Sequence, residues 1–298
     1  MSLRLRLMTL AMRWLARPLL ALVQDPIKVR HWFSFICNGL RVSPYALHLI
    51  DHGPVPLHWI SVRRRRTDWA ILYFHGGGYL VGSPGTHLGL TACLAKLTGL
   101  QVVSPDYRLA PEHPAPAAFN DARAAHSLVV AKGIAPDRII LAGDSAGGGL
   151  ALALLADLCS RGLRPAGLIA FSPWTDLAMT GASLMENAER DPLLPVHRMK
   201  EIVAMVLGTL DRRDPRISPY YAGFIAPPPV LLQVGQGEIL ADDSRRIAEV
   251  LRQAGGMVQL VEWPGCPHVW QMLDGYLPEA RRALLDVAAF AVRLVARA

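Results

Sequence analysis

Arg138-Ile139-Ile140-Leu141-Ala142-Gly143-Asp144-Ser145-Ala146-Gly147-Gly148-Gly149-Leu150-Ala151-Leu152-Ala153-Leu154-Leu155-Ala156-Asp157-Leu158 is the stretch on which the reading of this chain turns. Arg138 to Ala142 is strand-like, and Leu150 to Leu158 is a long apolar run of helical character. Between them stands Gly143-Asp144-Ser145-Ala146-Gly147, a G-x-S-x-G pentapeptide. Alone, such a pentapeptide is a Gly/Ser turn with no chemistry. Framed by a strand and a helix, it sets a serine on a tight, strained turn above a parallel sheet, with glycines where a Cβ would clash. Ser145 is therefore the candidate nucleophile.

A serine hydroxyl needs a base to take its proton and donors to meet the oxyanion. Upstream, the strand-like Trp69 to Phe74 runs into His75-Gly76-Gly77-Gly78, whose backbone N–H groups stand free of side chains. Gly76 and Gly77, together with the N–H of Ala146 after the serine, are the expected oxyanion donors. No Gly-Lys-Ser/Thr ends the glycine run, so a phosphate loop is set aside. His75 precedes the glycines and is expected to organise the loop. Of ten histidines, His268 is the expected base, since it follows the strand-like Met257 to Val261 and the loop Pro264-Gly265-Cys266-Pro267. The strand Val230 to Val234 leads to three carboxylates. Asp242 and Asp243 adjoin a helical run, which makes helix capping their plainer role. Glu238 lies in the loop proper and is the expected acid, with Asp242 in reserve. The resulting order is Ser, Glu, His.

The remaining elements alternate. Helix Thr86–Thr98, strand Gln101–Ser104, helix Ala117–Ala131, strand Arg138–Ala142, helix Ala146–Ser160 and strand Gly167–Phe171 predict a mostly parallel sheet with helices on both faces. The chain has 298 residues, 52% of them apolar, enough for one large α/β domain with a sizeable core.

With these residues assembled, the chain resembles the hormone-sensitive-lipase-like (bacterial family IV) esterases and lipases of the α/β-hydrolase fold. The likeness rests on His75-Gly76-Gly77-Gly78 and Gly143-Asp144-Ser145-Ala146-Gly147-Gly148. It rests also on Asp106-Tyr107-Arg108-Leu109-Ala110-Pro111-Glu112 with Pro114 and Pro116, on Ser172-Pro173-Trp174-Thr175-Asp176, and on Ser218-Pro219-Tyr220-Tyr221. It covers about residues 55 to 298. Most members carry Asp where this chain has Glu238, and the Glu238-to-His268 spacing is nearer the family's than that from Asp242. The resemblance implies a serine carboxylesterase acting on short- to medium-chain acyl esters through an acyl-enzyme, without cofactor or metal. An amidase or natural-product deacetylase on the same triad is the alternative, and a non-catalytic small-ligand binder the more distant one. The Asp106–Glu112 stretch is expected to buttress the oxyanion loop through buried polar contacts.

Family architecture further implies a helical cap over the serine, built from an N-terminal segment, residues 1–50, and an insert, residues 175–217. The core is then 51–174 with 218–298. Residues 1–50 read as helical, with Leu3, Leu7, Leu10 and Trp14 on one face, arginines beside it and Pro18 as a break. A cap helix meeting the core is the expectation, a membrane-surface helix with weak association the alternative. Arginines interrupt any signal-peptide core, and no run of about 18 uncharged apolar residues occurs, so a cytoplasmic protein without a spanning helix is expected. The net charge of +7 has its densest piece in Arg63–Arg66, read as a solvated hairpin turn. No nucleic-acid module accompanies it, so no nucleic-acid partner is expected. The expected partner is a small-molecule ester, with a homodimer hinted at by the family. Cys37, Cys93, Cys159 and Cys266 lack zinc-ligand spacing and are expected as buried free thiols.

Overall fold

The computed structural model describes residues 1–22, 25–39, 45–62 and 65–297. Eight strands form one sheet: β1 (Leu47–Asp51), β2 (Leu57–Ser61), β3 (Arg66–Phe74), β4 (Leu100–Pro105), β5 (Ile139–Asp144), β6 (Gly167–Phe171), β7 (Val230–Gly235) and β8 (Val258–Trp263). Their order is β1-β2-β4-β3-β5-β6-β7-β8. β1 and β2 run antiparallel at one edge, and every pairing from β4 to β8 is parallel.

Buried parallel strands have two apolar faces, and the sequence supplies both by alternation. Leu72, Leu141, Ala170 and Leu232 face one layer, where α5 (Ala117–Ala131), α6 (Ser145–Ser160) and α9 (Ala241–Gln253) pack. Ile71, Ile140, Ile169 and Leu231 face the other, against α4 (Leu88–Thr98) and α10 (Pro278–Arg297). All these sheet residues are buried. The helix after Ser145 is sandwiched so fully that Leu150 to Leu155, apart from Ala153, have no exposed surface. Its apolar run on every side reflects that burial. The four cysteines are buried free thiols.

Three expectations from the sequence need correction. β4 lies between β2 and β3, so the strands on either side of Arg63–Arg66 are not hairpin partners. Arg63 and Arg64 themselves lie outside the described residues. The N-terminal 50 residues are not helical throughout, because Leu47–Asp51 is a strand paired with Leu57–Ser61. Finally, Pro18 does not end the first helix. α1 (Leu3–Ala11) continues through a widened turn, Met12–Ala16, into α2 (Arg17–Leu22), and the Arg17 N–H reaches back to the Met12 carbonyl. A wider turn just ahead of the ring relieves the clash a proline makes with the preceding turn.

The apolar stripe of α1 also faces the unexpected way. Leu3, Leu7, Leu10 and Trp14 are exposed, while Leu5, on the opposite side, is fully buried. Leu5 sits in a small cluster with Cys266, Trp270, Leu277 and Ala280. The helix does meet the core, through one leucine and not through the stripe. α3 (Pro26–Asn38) follows, and the chain between β6 and β7, where the 175–217 insert is expected, carries α7 (Ser183–Glu186) and α8 (Val196–Leu207). Among the described residues, no helix is long and apolar enough to cross a membrane.

Candidate active site

Ser145 begins α6 directly after β5, with φ of 51°, a left-handed conformation that a non-glycine residue adopts only under constraint. Close approach supplies the constraint. A Cβ on Gly147 would collide with the carbonyls of Phe74 and His75, so the first turn of α6 presses on the end of β3. The helix N-terminus thus lies beside the serine and favours negative charge there.

His268 comes from the loop after β8, and its Nε2 lies 2.9 Å from Ser145 Oγ. Its Nδ1 lies 2.7 Å from Glu238 Oε2. The carboxylate accepts the Nδ1 proton, which leaves Nε2 as acceptor for the serine hydroxyl. Burial of His268 works to lower its pKa, but the adjacent Glu238 carboxylate outweighs it and holds the pKa above the ordinary 6.5. Glu238 is fully buried on the loop after β7. Its Oε1 accepts from the Ser172 hydroxyl at 2.7 Å and from the Gly235 N–H. Charge is tolerable in that place because donors surround it.

The reserve acid is committed elsewhere. Asp242 lies within the first turn of α9, accepts from the Ser183 N–H at 2.9 Å and pairs with Arg245 at 3.0 Å. Asp243 accepts from the Thr175 and Asp176 N–H groups. Both therefore tie the insert to the core instead of capping their own helix.

The expected oxyanion donors divide. Gly76 does not serve, because its N–H donates to Asp144 Oδ1 at 2.9 Å. Among the described residues, the N–H groups of Gly77 and Gly78 have no acceptor in the chain, and neither has that of Ala146. Gly78 thus offers a free N–H beside that of Gly77, one position beyond the pair expected from the sequence. Asp144 was missed, although it is the second residue of the pentapeptide. It is buried and also accepts from the Tyr73 hydroxyl at 2.7 Å, with His87 Nε2 at 3.4 Å. Burial would raise its pKa, but His87 and Tyr73 together hold it below the ordinary carboxylate range.

His75 organises the loop, as expected from its place. It stacks on Tyr107 at 4.3 Å between centroids, and the Tyr107 hydroxyl donates to the His75 carbonyl at 2.6 Å. Burial, with His87 alongside, lowers its pKa to about 3, so it is neutral. The buttress from the Asp106–Glu112 stretch is therefore Tyr107. Two charges of that stretch pair away from the glycine loop: Arg108 holds Asp121 of α5, and Glu112 holds Arg30 of α3.

Insert and N-terminal segment both reach this site. Asn187 donates to the carbonyls of Gln236 and Glu238, and Asp191 accepts from the Ile239 N–H, so the insert fastens the acid's loop. Ile202 of α8 stands in van der Waals range of a Cβ at Gly78. Arg30 also donates to the carbonyls of Leu80 and Ala110 beside the glycine loop. Arg13 and Arg17 donate to the carbonyls of Glu189, Arg190 and Ala188 in the insert. Nothing in the sequence near these residues marks such long-range pairings.

A strained serine between strand and helix, answered across the sheet's rim by a histidine held on a carboxylate, defines the hydrolytic enzymes of the α/β type. A profile of the alpha/beta hydrolase fold matches residues 71–272. An acetyl-hydrolase of Streptomyces hygroscopicus is 41% identical over 255 residues, covering 85% of this chain and 84% of that one. An esterase of Acinetobacter venetianus is 40% identical over 226 residues, covering 75% of each. The crystal structure of an esterase from the bacterial hormone-sensitive lipase family superposes with a TM-score of 0.93 at 35% identity, covering 99% of both chains. The chain belongs to that hormone-sensitive-lipase-like family of bacterial esterases and is a carboxylic ester hydrolase.

Proposed function

We propose that Ser145, His268 and Glu238 hydrolyse short- to medium-chain acyl esters through an acyl-enzyme. One observation carries this reading: a single imidazole bridges Ser145 Oγ at 2.9 Å and Glu238 at 2.7 Å. His268 Nε2 takes the serine proton as Oγ attacks the ester carbonyl. The oxyanion is met by the N–H groups of Gly77, Gly78 and Ala146 beside the α6 N-terminus. Collapse breaks the ester C–O bond, and the alcohol leaves with the proton from His268. Water then gives its proton to Nε2 and attacks the acyl carbon; the acyl C–Oγ bond breaks, Nε2 returns the proton to Oγ, and the acid leaves.

Residues before Leu47 and residues 175–217 act as a cap in this reading. Ile202 above Gly78 and Arg30 beside Leu80 support it, since both lie against the oxyanion loop. Exclusion of water under such a cover strengthens the contacts to the oxyanion. The cover also limits acyl length. A second reading, removal of an acetyl group from one specific acceptor, is favoured by the acetyl-hydrolase relative.

The test is turnover of nitrophenyl esters of increasing acyl length by the wild type and Ser145→Ala. Turnover by the wild type is expected to fall with chain length and to vanish in the variant. Rapid quenching should trap the acyl group on Ser145 as a mass increment. Undiminished activity of Ser145→Ala overturns the mechanism. An anilide matched to the best ester separates amidase from esterase chemistry.

A further inference from the structure

Residues 1–22 carry an exposed apolar stripe that the site around Ser145 does not use. Leu3, Leu7, Leu10 and Trp14 recur at the spacing of one helical face and are 72%, 59%, 51% and 72% exposed. At about 100° per residue they point opposite Leu5, which is fully buried. Arg4 and Arg6 lie on the two flanks of the stripe, and both are exposed. Residues 1–24 contain four arginines and no Asp or Glu. Arg13 and Arg17 are spent on carbonyls of the insert, which anchors the helix with the stripe outward.

A second observation adjoins the first. Arg4 also lines a cavity of about 620 Å³, apart from Ser145, together with Tyr45, Lys96, Asp274, Tyr276 and Arg281. Asp274 is matched by Arg281 at 3.4 Å, and Lys96 lies over the Tyr45 ring at 6.0 Å. The cavity therefore keeps a net positive charge from Arg4 and Lys96. Its size and sign suit the headgroup of an anionic lipid.

We propose that the stripe on α1 and this cavity form a docking surface for an anionic lipid bilayer. The leucines and Trp14 enter the interface between headgroups and acyl chains, and Arg4, Arg6 and Lys96 meet phosphates. A second copy of the chain is the poorer occupant: an isologous contact would set arginine rows against each other with no carboxylate in residues 1–24 to match them. Docking also has a geometric consequence. Leu5 packs on Cys266 and Trp270, which flank His268, so the bilayer would lie beside the loop that carries the base. Acyl esters held in the membrane would then be presented near the site.

Sedimentation of the full chain with vesicles tests this. Vesicles of phosphatidylcholine with phosphatidylglycerol are expected to carry down at least about tenfold more protein than phosphatidylcholine alone, with the excess lost in high salt. Leu7→Glu with Trp14→Glu should reduce binding to the neutral-vesicle level. Arg4→Glu with Arg6→Glu should weaken it by about 30-fold or more. An unchanged melting temperature shows that the variants fold. Should the double glutamate variant melt early, quenching by brominated lipid gives the separate reading: the wild type is quenched, and Trp14→Phe is quenched less. Equal binding to both vesicles, or anionic binding indifferent to Leu7 and Trp14, overturns the proposal. A dimer in free solution that Trp14→Glu splits assigns the face to a second copy and overturns it equally.

Discussion

The backbone N–H of Gly76 donates to Asp144 Oδ1 at 2.9 Å, so the residue just before the nucleophile holds the glycine loop that faces it. Serine and oxyanion donors are thereby fixed to one another through a single buried carboxylate, whose Oδ1 also receives the Tyr73 hydroxyl. Asp144→Ala strands both donors without solvent. Unfolding in urea should show a loss of roughly 2–4 kcal/mol, with a fall in kcat larger than any rise in KM. Asp144→Asn keeps an acceptor and should recover part of both. Equal kinetics for the alanine variant would refute the coupling.

The two candidate acids separate cleanly by their partners. Glu238 touches His268, whereas Asp242 touches Ser183 and Arg245. Glu238→Gln is expected to lower kcat by roughly 10²–10⁴-fold with the fold retained. Asp242→Asn should leave kcat within about twofold, because Arg245 keeps its bond to Glu262 at 2.6 Å. If the Asp242 variant is the crippled one, the acid is misassigned.

Legibility in the sequence followed the range of the interaction. The parallel sheet was readable because buried strands and their helices announce themselves by local apolar runs, such as Ile139–Ala142 and Leu150–Leu158. The meeting of Ser145, Glu238 and His268 was readable because loops at one rim of such a sheet converge whatever their separation along the chain. Gly76 misled because a glycine run shows which N–H groups are bare, not which already have an acceptor. The outward stripe of α1 misled for a related reason. Amphipathic spacing tells that a face is apolar and leaves open what covers it, and here one leucine, Leu5, carries the contact with the core. The Asn187 and Asp191 bonds to the acid's loop join segments about 50 residues apart and have no local signature.

Acid should switch the enzyme off earlier than an ordinary histidine would. Burial lowers the pKa of His268, but Glu238 more than reverses this, so it stands above 6.5. The reaction needs neutral Nε2, and kcat/KM is expected to fall on acidification with a midpoint above 6.5. Glu238→Gln should move the midpoint of its residual activity downward. For stability the sign is opposite. A raised histidine pKa contributes fully below 6.5 and is lost as pH rises through the folded value. A wild-type midpoint below 6.5 would contradict the pairing.

Asp243 supplies a stability change of its own. Burial pushes its carboxyl up to about 7, with Asp176 adding to the rise and the Thr175 and Asp176 N–H groups opposing it. The ordinary value is 3.8, so between these limits the folded chain binds a proton that the unfolded chain releases. This contribution to stability is present at low pH and lost as pH rises toward 7 and beyond. Asp243→Asn keeps an oxygen for the Thr175 and Asp176 donors while removing the ionisation. Relative to wild type, the variant should therefore gain stability between about pH 5 and about pH 8, by roughly 1–4 kcal/mol. Urea midpoints at both values, converted with a common m-value, measure the difference. A variant that tracks the wild type in parallel across that range would show that Asp243 stays ionised in the fold.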